Sequence, residues 1–173
     1  MSLENIRKEI NEIDDKMKTL FDARMECTKA VAKSKLETGD SVYKPEREKE
    51  MYERYIDNPD YVAFLKKVVQ LSRRNQYELI LNNDKKDDLF DKFKSEELKY
   101  GNLNLALKPD EKSEKGLCIK DILSVISASK LNVECLEVNN EKNTVFVKLN
   151  VPENEISQKE AYILKYMLES ETL

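Results

Sequence analysis

The sequence predicts an α plus α+β protein, with a three-helix domain over residues 1–82 and a small βαββα domain over residues 102–173. Up to about residue 80, apolar side chains recur at three- and four-residue steps, which is typical of helices with one buried face. After Gly101 the apolar residues alternate instead, which is typical of strands. The polar, charged run at 83–101 is predicted to be a connecting helix, with a partly ordered linker as the alternative.

Composition narrows the possible functions of this chain. Its 173 residues suffice for one medium domain or two small ones, and a net charge of −4 gives no basic character suited to nucleic acid or an anionic membrane. No apolar run has the length of a signal stretch or a membrane span, so we expect a cytoplasmic protein. Three scattered cysteines, Cys27, Cys118 and Cys135, argue against a disulfide framework and predict buried thiols.

The chain contains no histidine, and this bears directly on chemistry. Histidine is the usual general base and the commonest zinc ligand, so we expect neither a metal nor a cofactor. Three glycines are too few for a glycine-rich phosphate loop. Any catalysis must use carboxylates, lysine, tyrosine or cysteine, or must need no proton transfer.

The first helix is predicted from Leu3 to the stop at Gly39, with Ser2 as its cap. A helix of this length needs a partner along it, which indicates a dimer or a bundle. Its apolar stripe comprises Leu3, Ile6, Ile10, Ile13, Met17, Leu20, Phe21, Cys27 and Val31.

Three cations lie on or beside that stripe, at Arg7, Arg24 and Lys35. Arg24 and Lys35 are three turns apart, roughly 16 Å at 1.5 Å per residue, so the two side chains could hold one small anion between them. Arg7 lies about 25 Å from Arg24 along the axis, so it reaches the same site only from an antiparallel second copy. The alternative is that all three are solvated surface cations.

Two further helices follow the loop at residues 40–44. Pro45 is expected at the first position of a helix running to about Ile56, and Asn58 caps a third helix that begins with Pro59. On the third helix, Ser72 and Gln76 are neighbours on an otherwise apolar face. Gln76 is either a buried hydrogen-bond donor with a function or a residue at the edge of the core.

Several segments together resemble the all-α class of chorismate mutase over about residues 3–80. They are Leu3-Glu-Asn-Ile-Arg7 through Lys16, Ala23-Arg24-Met-Glu, Ala32-Lys-Ser-Lys35, Tyr43-Lys-Pro-Glu-Arg47-Glu48 and Ser72-Arg-Arg-Asn-Gln76. The resemblance implies a homodimer of intertwined three-helix chains that converts chorismate to prephenate. It also implies that Arg7 of the partner subunit and Arg24 bind carboxylates of the substrate.

The resemblance assigns the remaining site residues as well. Lys35 would contact a carboxylate and the ether oxygen, Gln76 would donate to that oxygen, and Glu48 would accept the ring hydroxyl. Arg47 and Ser72 would complete substrate binding. The family commonly has Asp where this chain has Lys44, so the reversed charge makes altered substrate affinity a specific expectation.

The chemistry implied by the resemblance suits a chain without histidine. A unimolecular pericyclic rearrangement needs no acid, base, metal or nucleophile. It needs a compact substrate conformer and donors aimed at the charge that develops on the ether oxygen. Arginine binds carboxylates through its planar fork, and lysine and glutamine suit the ether oxygen.

The second half is predicted as strand, helix, strand, strand and helix. Leu103 to Leu107 and Val133 to Val138 form strands, residues 139–143 form a turn, and Thr144 to Val151 form the last strand. A helix carries Ile119 to Ile126, and a capping box at Ser157-Gln-Lys-Glu160 opens the final helix. This order resembles an ACT domain, a ferredoxin-like module that often binds amino acids. It implies either an aromatic amino-acid effector or a structural, dimer-stabilising role.

Two other functions remain open. One is a non-catalytic regulator of the shikimate pathway that keeps the fold and senses a metabolite, which only Lys44 favours. The other is an isochorismate pyruvate-lyase of the same fold. The sequence also leaves open whether the C-terminal domain pairs dimers into a tetramer.

Overall fold

We describe the fold from a computed structural model, which describes residues 2–83, 101–107, 119–139, 141 and 144–172. The helical part comprises α1 (Leu3–Thr38), α2 (Pro45–Glu53) and α3 (Pro59–Leu81). The C-terminal part comprises β1 (Gly101–Leu107), α4 (Ile119–Ala128), β2 (Asn132–Asn139), β3 (Thr144–Val151) and α5 (Glu155–Thr172). No helix in these ranges is both long enough and apolar enough to span a membrane.

Local signals place the ends of α1 as the sequence predicts. The Ser2 side chain accepts a hydrogen bond from the Asn5 amide, which satisfies one of the free amides of the first turn. Gly39 ends the helix in the left-handed region, with φ 74°, where a Cβ would be disfavoured. Helix α2 ends at Glu53, earlier than predicted, because residues 54–57 form turns before Asn58 caps α3.

Helix α3 lies at the centre of the protein, between α1 on one side and α4 and α5 on the other. It buries ten side chains, several of them polar. By contrast, α1 buries only Met25, Thr28 and Ala32. The apolar residues in the first half of α1 are from 39% to 71% exposed in the single chain: Leu3, Ile6, Ile10, Ile13, Met17 and Leu20.

The C-terminal strands form an antiparallel sheet with the order β1-β3-β2. The predicted order of strand, helix, strand, strand and helix is therefore confirmed. Burial alternates along strand β3. Phe146 faces outward, and the side chains that pack into the core are Val145, Val147, Leu149 and Val151. Strand β2 lies at the edge of the described sheet and is exposed along nearly its whole length.

One continuous core joins the helical and C-terminal parts. Val42, Tyr77 and Ile80 from the helical part pack with apolar residues of α4, β3 and α5. The rings of Tyr77 and Tyr166 meet edge to face, with centroids 4.7 Å apart. Because this core crosses the boundary, the two parts support each other directly through α3. The predicted connecting helix lies almost wholly in residues 84–100, outside the described ranges.

Two sequence expectations are wrong in this structure. The cysteines of the described residues, Cys27 and Cys135, are exposed thiols and not buried ones. Cys27 is on the outer side of α1, and Cys135 pairs across the open face of the sheet with Lys148. Helix α5 begins at Glu155, and the Asn154 side chain accepts from the Ser157 amide at 2.8 Å, so Asn154 and not Ser157 is the cap.

Candidate active site

The site is built on the face of α3 that meets α1. Arg24 of α1 donates through Nη1 to the Ser72 hydroxyl, which in turn donates to the Val68 carbonyl at 2.8 Å. The Gln76 amide nitrogen donates to the Ser72 carbonyl at 3.4 Å, one turn back on the same helix. The structure therefore brings together three predicted site residues: Arg24, Ser72 and Gln76.

Gln76 has an unusual environment for an amide side chain. It is 7% exposed, and within the described ranges its Oε1 atom is buried without a hydrogen-bond partner. Leaving a buried acceptor unsatisfied typically costs about 1–3 kcal/mol, so such groups need an explanation. A hydrogen-bond donor placed beside Oε1 would satisfy it.

Lys35 is held in the last turn of α1, eleven residues after Arg24. Its ammonium donates to the Val42 carbonyl at 2.8 Å, in the loop that follows α1. Burial lowers the pKa of Lys35, and the nearby Lys44 also lowers it, while the negative charges of Asp40 and Glu48 act in the opposite direction. A partly desolvated ammonium of this kind binds a carboxylate or a developing negative charge more strongly than one in bulk water.

Glu48 projects from the first turn of α2 toward α3. Its Oε1 lies 3.4 Å from Arg73 Nε, and its Oε2 accepts from the Tyr52 hydroxyl at 3.1 Å. Burial raises the pKa of Glu48, against the lowering effects of Arg73, Tyr52, Lys35 and Lys66. The carboxylate is thus placed to receive a hydroxyl, because it is an acceptor held in a fixed orientation.

Three other predicted residues lie at the edge of this cluster or away from it. Lys44 forms an ion pair with Asp40, which lowers the pKa of that carboxyl and offsets the lysine charge. Arg47 is exposed and pairs with Glu50 at 3.7 Å, so the chain alone does not bring it to the other residues. Arg7 is exposed on the first turns of α1, distant in sequence and along the helix from Arg24.

The sequence interpretation assigned no role to Arg73, although it stands inside the Ser72–Gln76 motif. The Arg73 side chain is 6% exposed, pairs with Glu48 and lies over the ring of Tyr43, 4.9 Å from its centroid. The available signal was the pair of consecutive arginines, Arg73 and Arg74, directly after Ser72. Both are buried, and each has a carboxylate partner on a different element.

Taken together, the cluster suits a small dianion that also carries a hydroxyl group. Arg24 and Lys35 supply positive charge from α1, Glu48 supplies an acceptor, and Ser72 and Gln76 supply neutral polar groups. Among the described residues, no group of three or more acidic or cysteine side chains is arranged to hold a metal ion. The arrangement favours binding and electrostatic stabilisation over proton transfer.

Comparison with known proteins gives one match. No curated protein and no solved structure gives a significant match to the chain. Residues 6–77 match the model of the family described as chorismate mutase type II. That range spans α1, the loop, α2 and most of α3, and so contains every residue of the cluster. The helical part of this chain is therefore similar to the chorismate mutase type II family over residues 6–77, which are less than half of the chain.

Proposed function

We propose that the protein catalyses the rearrangement of chorismate to prephenate at the cluster between α1, α2 and α3. Two groupings within the matched range support the proposal: Arg24 and Gln76 both contact Ser72, and the charges of Lys35 and Glu48 act on each other. Chorismate has two carboxylates, a ring hydroxyl and an ether oxygen. The cluster offers cations for the carboxylates, an acceptor for the hydroxyl and donors for the ether oxygen.

In this proposal the chain acts by positioning and by electrostatics. Arg24 holds one carboxylate, and the Ser72 hydroxyl orients the guanidinium by accepting a hydrogen bond from it. Lys35 and Gln76 donate to the ether oxygen, where negative charge develops as the carbon–oxygen bond breaks. Donors fixed before the reaction stabilise that charge without reorganising, and holding the compact conformer removes much of the entropic barrier.

The proposal includes a second copy of the chain. The exposed apolar stripe on the first half of α1 has the pattern of an interface, and Arg7 lies on the same part of the helix. An antiparallel partner would cover the stripe and bring its own Arg7 to the second carboxylate. Arg47 would take its role in binding only in that assembly, because in the single chain it pairs with Glu50.

For the C-terminal part we propose an ACT-like role, either amino-acid binding or support of the assembly. The support is its β1-β3-β2 order and its direct packing on α3, the helix that carries Ser72 and Gln76. A ligand that changed this packing would act on the site through α3.

The test is to mix the purified full-length protein with chorismate and follow chorismate loss together with prephenate formation. Lys35→Ala should lower the turnover rate by about 10²–10³-fold, as expected for the loss of one fixed donor to a developing oxyanion. Lys33→Ala is the matched control, since Lys33 is an exposed lysine two residues away on the same helix. Equal turnover in the two variants would overturn the proposed role of Lys35.

The same assay separates the alternatives. Prephenate formation supports the mutase, whereas pyruvate release from isochorismate without prephenate formation supports the lyase. Binding of chorismate without turnover of either substrate supports a regulator. Repeating the assay with phenylalanine or tyrosine tests the proposed effector of the C-terminal part.

A further inference from the structure

Arg73 has a position that neither the family match nor the sequence interpretation explains. It is on α3, directly after Ser72, yet its side chain turns toward the loop and α2. Its Nε lies 3.4 Å from Glu48 Oε1, and its guanidinium carbon lies 4.9 Å from the centre of the Tyr43 ring. The side chain is 6% exposed and that of Glu48 is 15% exposed.

This contact joins three segments of the chain around one carboxylate. Tyr43 belongs to the loop after α1, and its carbonyl accepts from the Ser41 hydroxyl at 3.0 Å. Glu48 is on α2, and Arg73 is on α3. An arginine is suited to such a place because its planar guanidinium can stack on an aromatic ring while its edge meets a carboxylate.

Several charged or titratable groups face Glu48. Tyr52 is on its own helix, Lys35 is on α1, and Lys66 and Arg73 are on α3. Arg73 is the most buried cation of this set, and it makes the ion pair with the carboxylate. Burial raises the pKa of Glu48, and Arg73 is the largest of the influences that lower it.

We infer that Arg73 is a positioning residue that keeps the Glu48 carboxylate charged and oriented to accept the ring hydroxyl of the substrate. The identity of that hydroxyl rests on the proposed function. The ion pair between Arg73 and Glu48 does not depend on it. Arg73 acts through Glu48, since its Nε lies within ion-pair distance of the Glu48 carboxylate and its guanidinium lies over the Tyr43 ring. Without it, the buried carboxylate would bind a proton at higher pH and lose acceptor capacity.

The first test needs no substrate. The side-chain carboxyl of Glu48 is titrated by carbon NMR in the free, full-length protein, in the wild type and in Arg73→Met, Arg73→Lys and Lys66→Met. We expect Arg73→Met to move the Glu48 titration to higher pH, Arg73→Lys to move it less, and Lys66→Met to move it least. An unchanged titration in Arg73→Met would overturn the inference even if the protein proves to be a mutase.

The second test measures kcat/KM for chorismate against pH. In Arg73→Met the acid limb of the profile should move to higher pH together with the NMR titration, and activity should approach the wild-type value at alkaline pH. A merely structural role would lower activity by the same factor at every pH and leave the acid limb in place, and that result would overturn the inference. Should Arg73→Met fail to fold by circular dichroism, Arg73→Lys decides the question, because its titration and acid limb must still shift together.

A wild-type protein without turnover would defeat the proposed function alone. The NMR titration would still report whether Arg73 controls the charge of Glu48. The two failures are therefore distinguishable.

Discussion

Helix α1 exposes apolar side chains that soluble helices normally bury, whereas α3 buries charged side chains that helices normally expose. In the first half of α1, Ile10, Ile13 and Met17 are each nearly half exposed. In α3, Arg73 and Arg74 are each about 5% exposed. Burying an unpaired charge is expensive, and an extended apolar stripe in water is unusual, so each helix needs a specific explanation.

The two explanations differ in where the missing partners lie. The charges of α3 are paired within the chain, Arg73 with Glu48 and Arg74 with Glu160. The apolar stripe of α1 has no such cover from the described residues, and its proposed cover is a second copy. The comparison teaches that α3 organises the single chain, while α1 organises the proposed dimer. Four predictions test this division, from the largest expected effect to the smallest.

The first concerns α1. If Arg7 serves the site of the partner, Arg7→Ala and Arg24→Ala should each be nearly inactive alone but should complement each other when chains are exchanged. A mixed dimer then has one intact site of two, so an equal mixture recovers about a quarter of wild-type activity, as expected for random assembly of a symmetric dimer.

The measurement is turnover of chorismate after the two variants are denatured together and refolded. In the control, each variant is refolded separately, and the two are mixed only afterward, under conditions in which subunits do not exchange. Recovery no greater than the average of the two variants alone would show that both arginines act within one chain, and α1 would lose its special role.

The second prediction concerns the buried pair of α3. Arg74 donates to Glu160 through Nε at 3.1 Å and through Nη2, and Glu160 also accepts from the Lys130 amide at 3.2 Å. Glu160→Ala should lower the free energy of unfolding by up to about 3–5 kcal/mol, because it removes the buried partner of Arg74 and leaves the guanidinium with the partly exposed Glu78. Urea denaturation measures the change.

The double variant Arg74→Met with Glu160→Met serves as the control for this pair. Removing both charges should recover most of the lost stability, since apolar residues of similar volume often replace a buried ion pair at little cost. Equal loss in the single and double variants would mean that packing volume, and not charge, holds α5 against α3.

The third prediction follows from the raised pKa of Glu48. A carboxyl whose pKa is higher in the folded than in the unfolded state stabilises the fold below the unfolded pKa, and that contribution is lost as pH rises through the folded pKa. Glu48→Gln, which resembles the protonated form, should therefore gain stability relative to wild type as pH is raised from about 4 to about 7. It should also lose activity.

Urea denaturation across this pH range measures the stability difference. Glu50→Gln is the matched control, because Glu50 is an exposed carboxylate on the same helix. A Glu48→Gln difference that does not change with pH would contradict the burial described for this side chain.

The fourth and smallest effect concerns an exposed pair on α1. Lys18 and Asp22 form an ion pair at 2.6 Å, with both side chains more than half exposed. Asp22→Ala should change stability by no more than about 0.5 kcal/mol, since solvent screens such pairs. A loss of unfolding free energy as large as that of Glu160→Ala would contradict the division between a solvated charge pair on α1 and a buried one on α3.

Some of these features are visible in the sequence because they depend on neighbours along the chain. The limits of α1 follow from Ser2 and Gly39. The limits of β3 follow from its alternating apolar residues and from the predicted turn at residues 139–143. The contact between Arg24 and Ser72 was predictable only through the family resemblance, because Arg24 lies on α1 and Ser72 lies on α3. The spacing of Arg7, Arg24 and Lys35 alone was equally consistent with solvated cations.

Other features depend on contacts that local patterns do not contain. Ser157 and Glu160 have the spacing of a capping box, but Glu160 is engaged by Arg74, 86 positions earlier, and Asn154 caps the helix instead. Periodicity likewise placed Cys27 on an apolar stripe without showing that no described element covers it. The role of Arg73 was hidden because a charged residue on a helix is normally solvated.

Val42 connects the C-terminal part of the protein to Lys35, and this connection bears on which substitutions would abolish function. Its side chain is part of the core shared with α4, β3 and α5, while its carbonyl accepts the Lys35 ammonium. Substitutions deep in the C-terminal part that displace Val42 are therefore expected to impair turnover without touching any substrate contact. A genetic screen for inactive alleles should return such substitutions, so the positions at which a substitution lowers the proposed activity are expected to extend beyond the helical part.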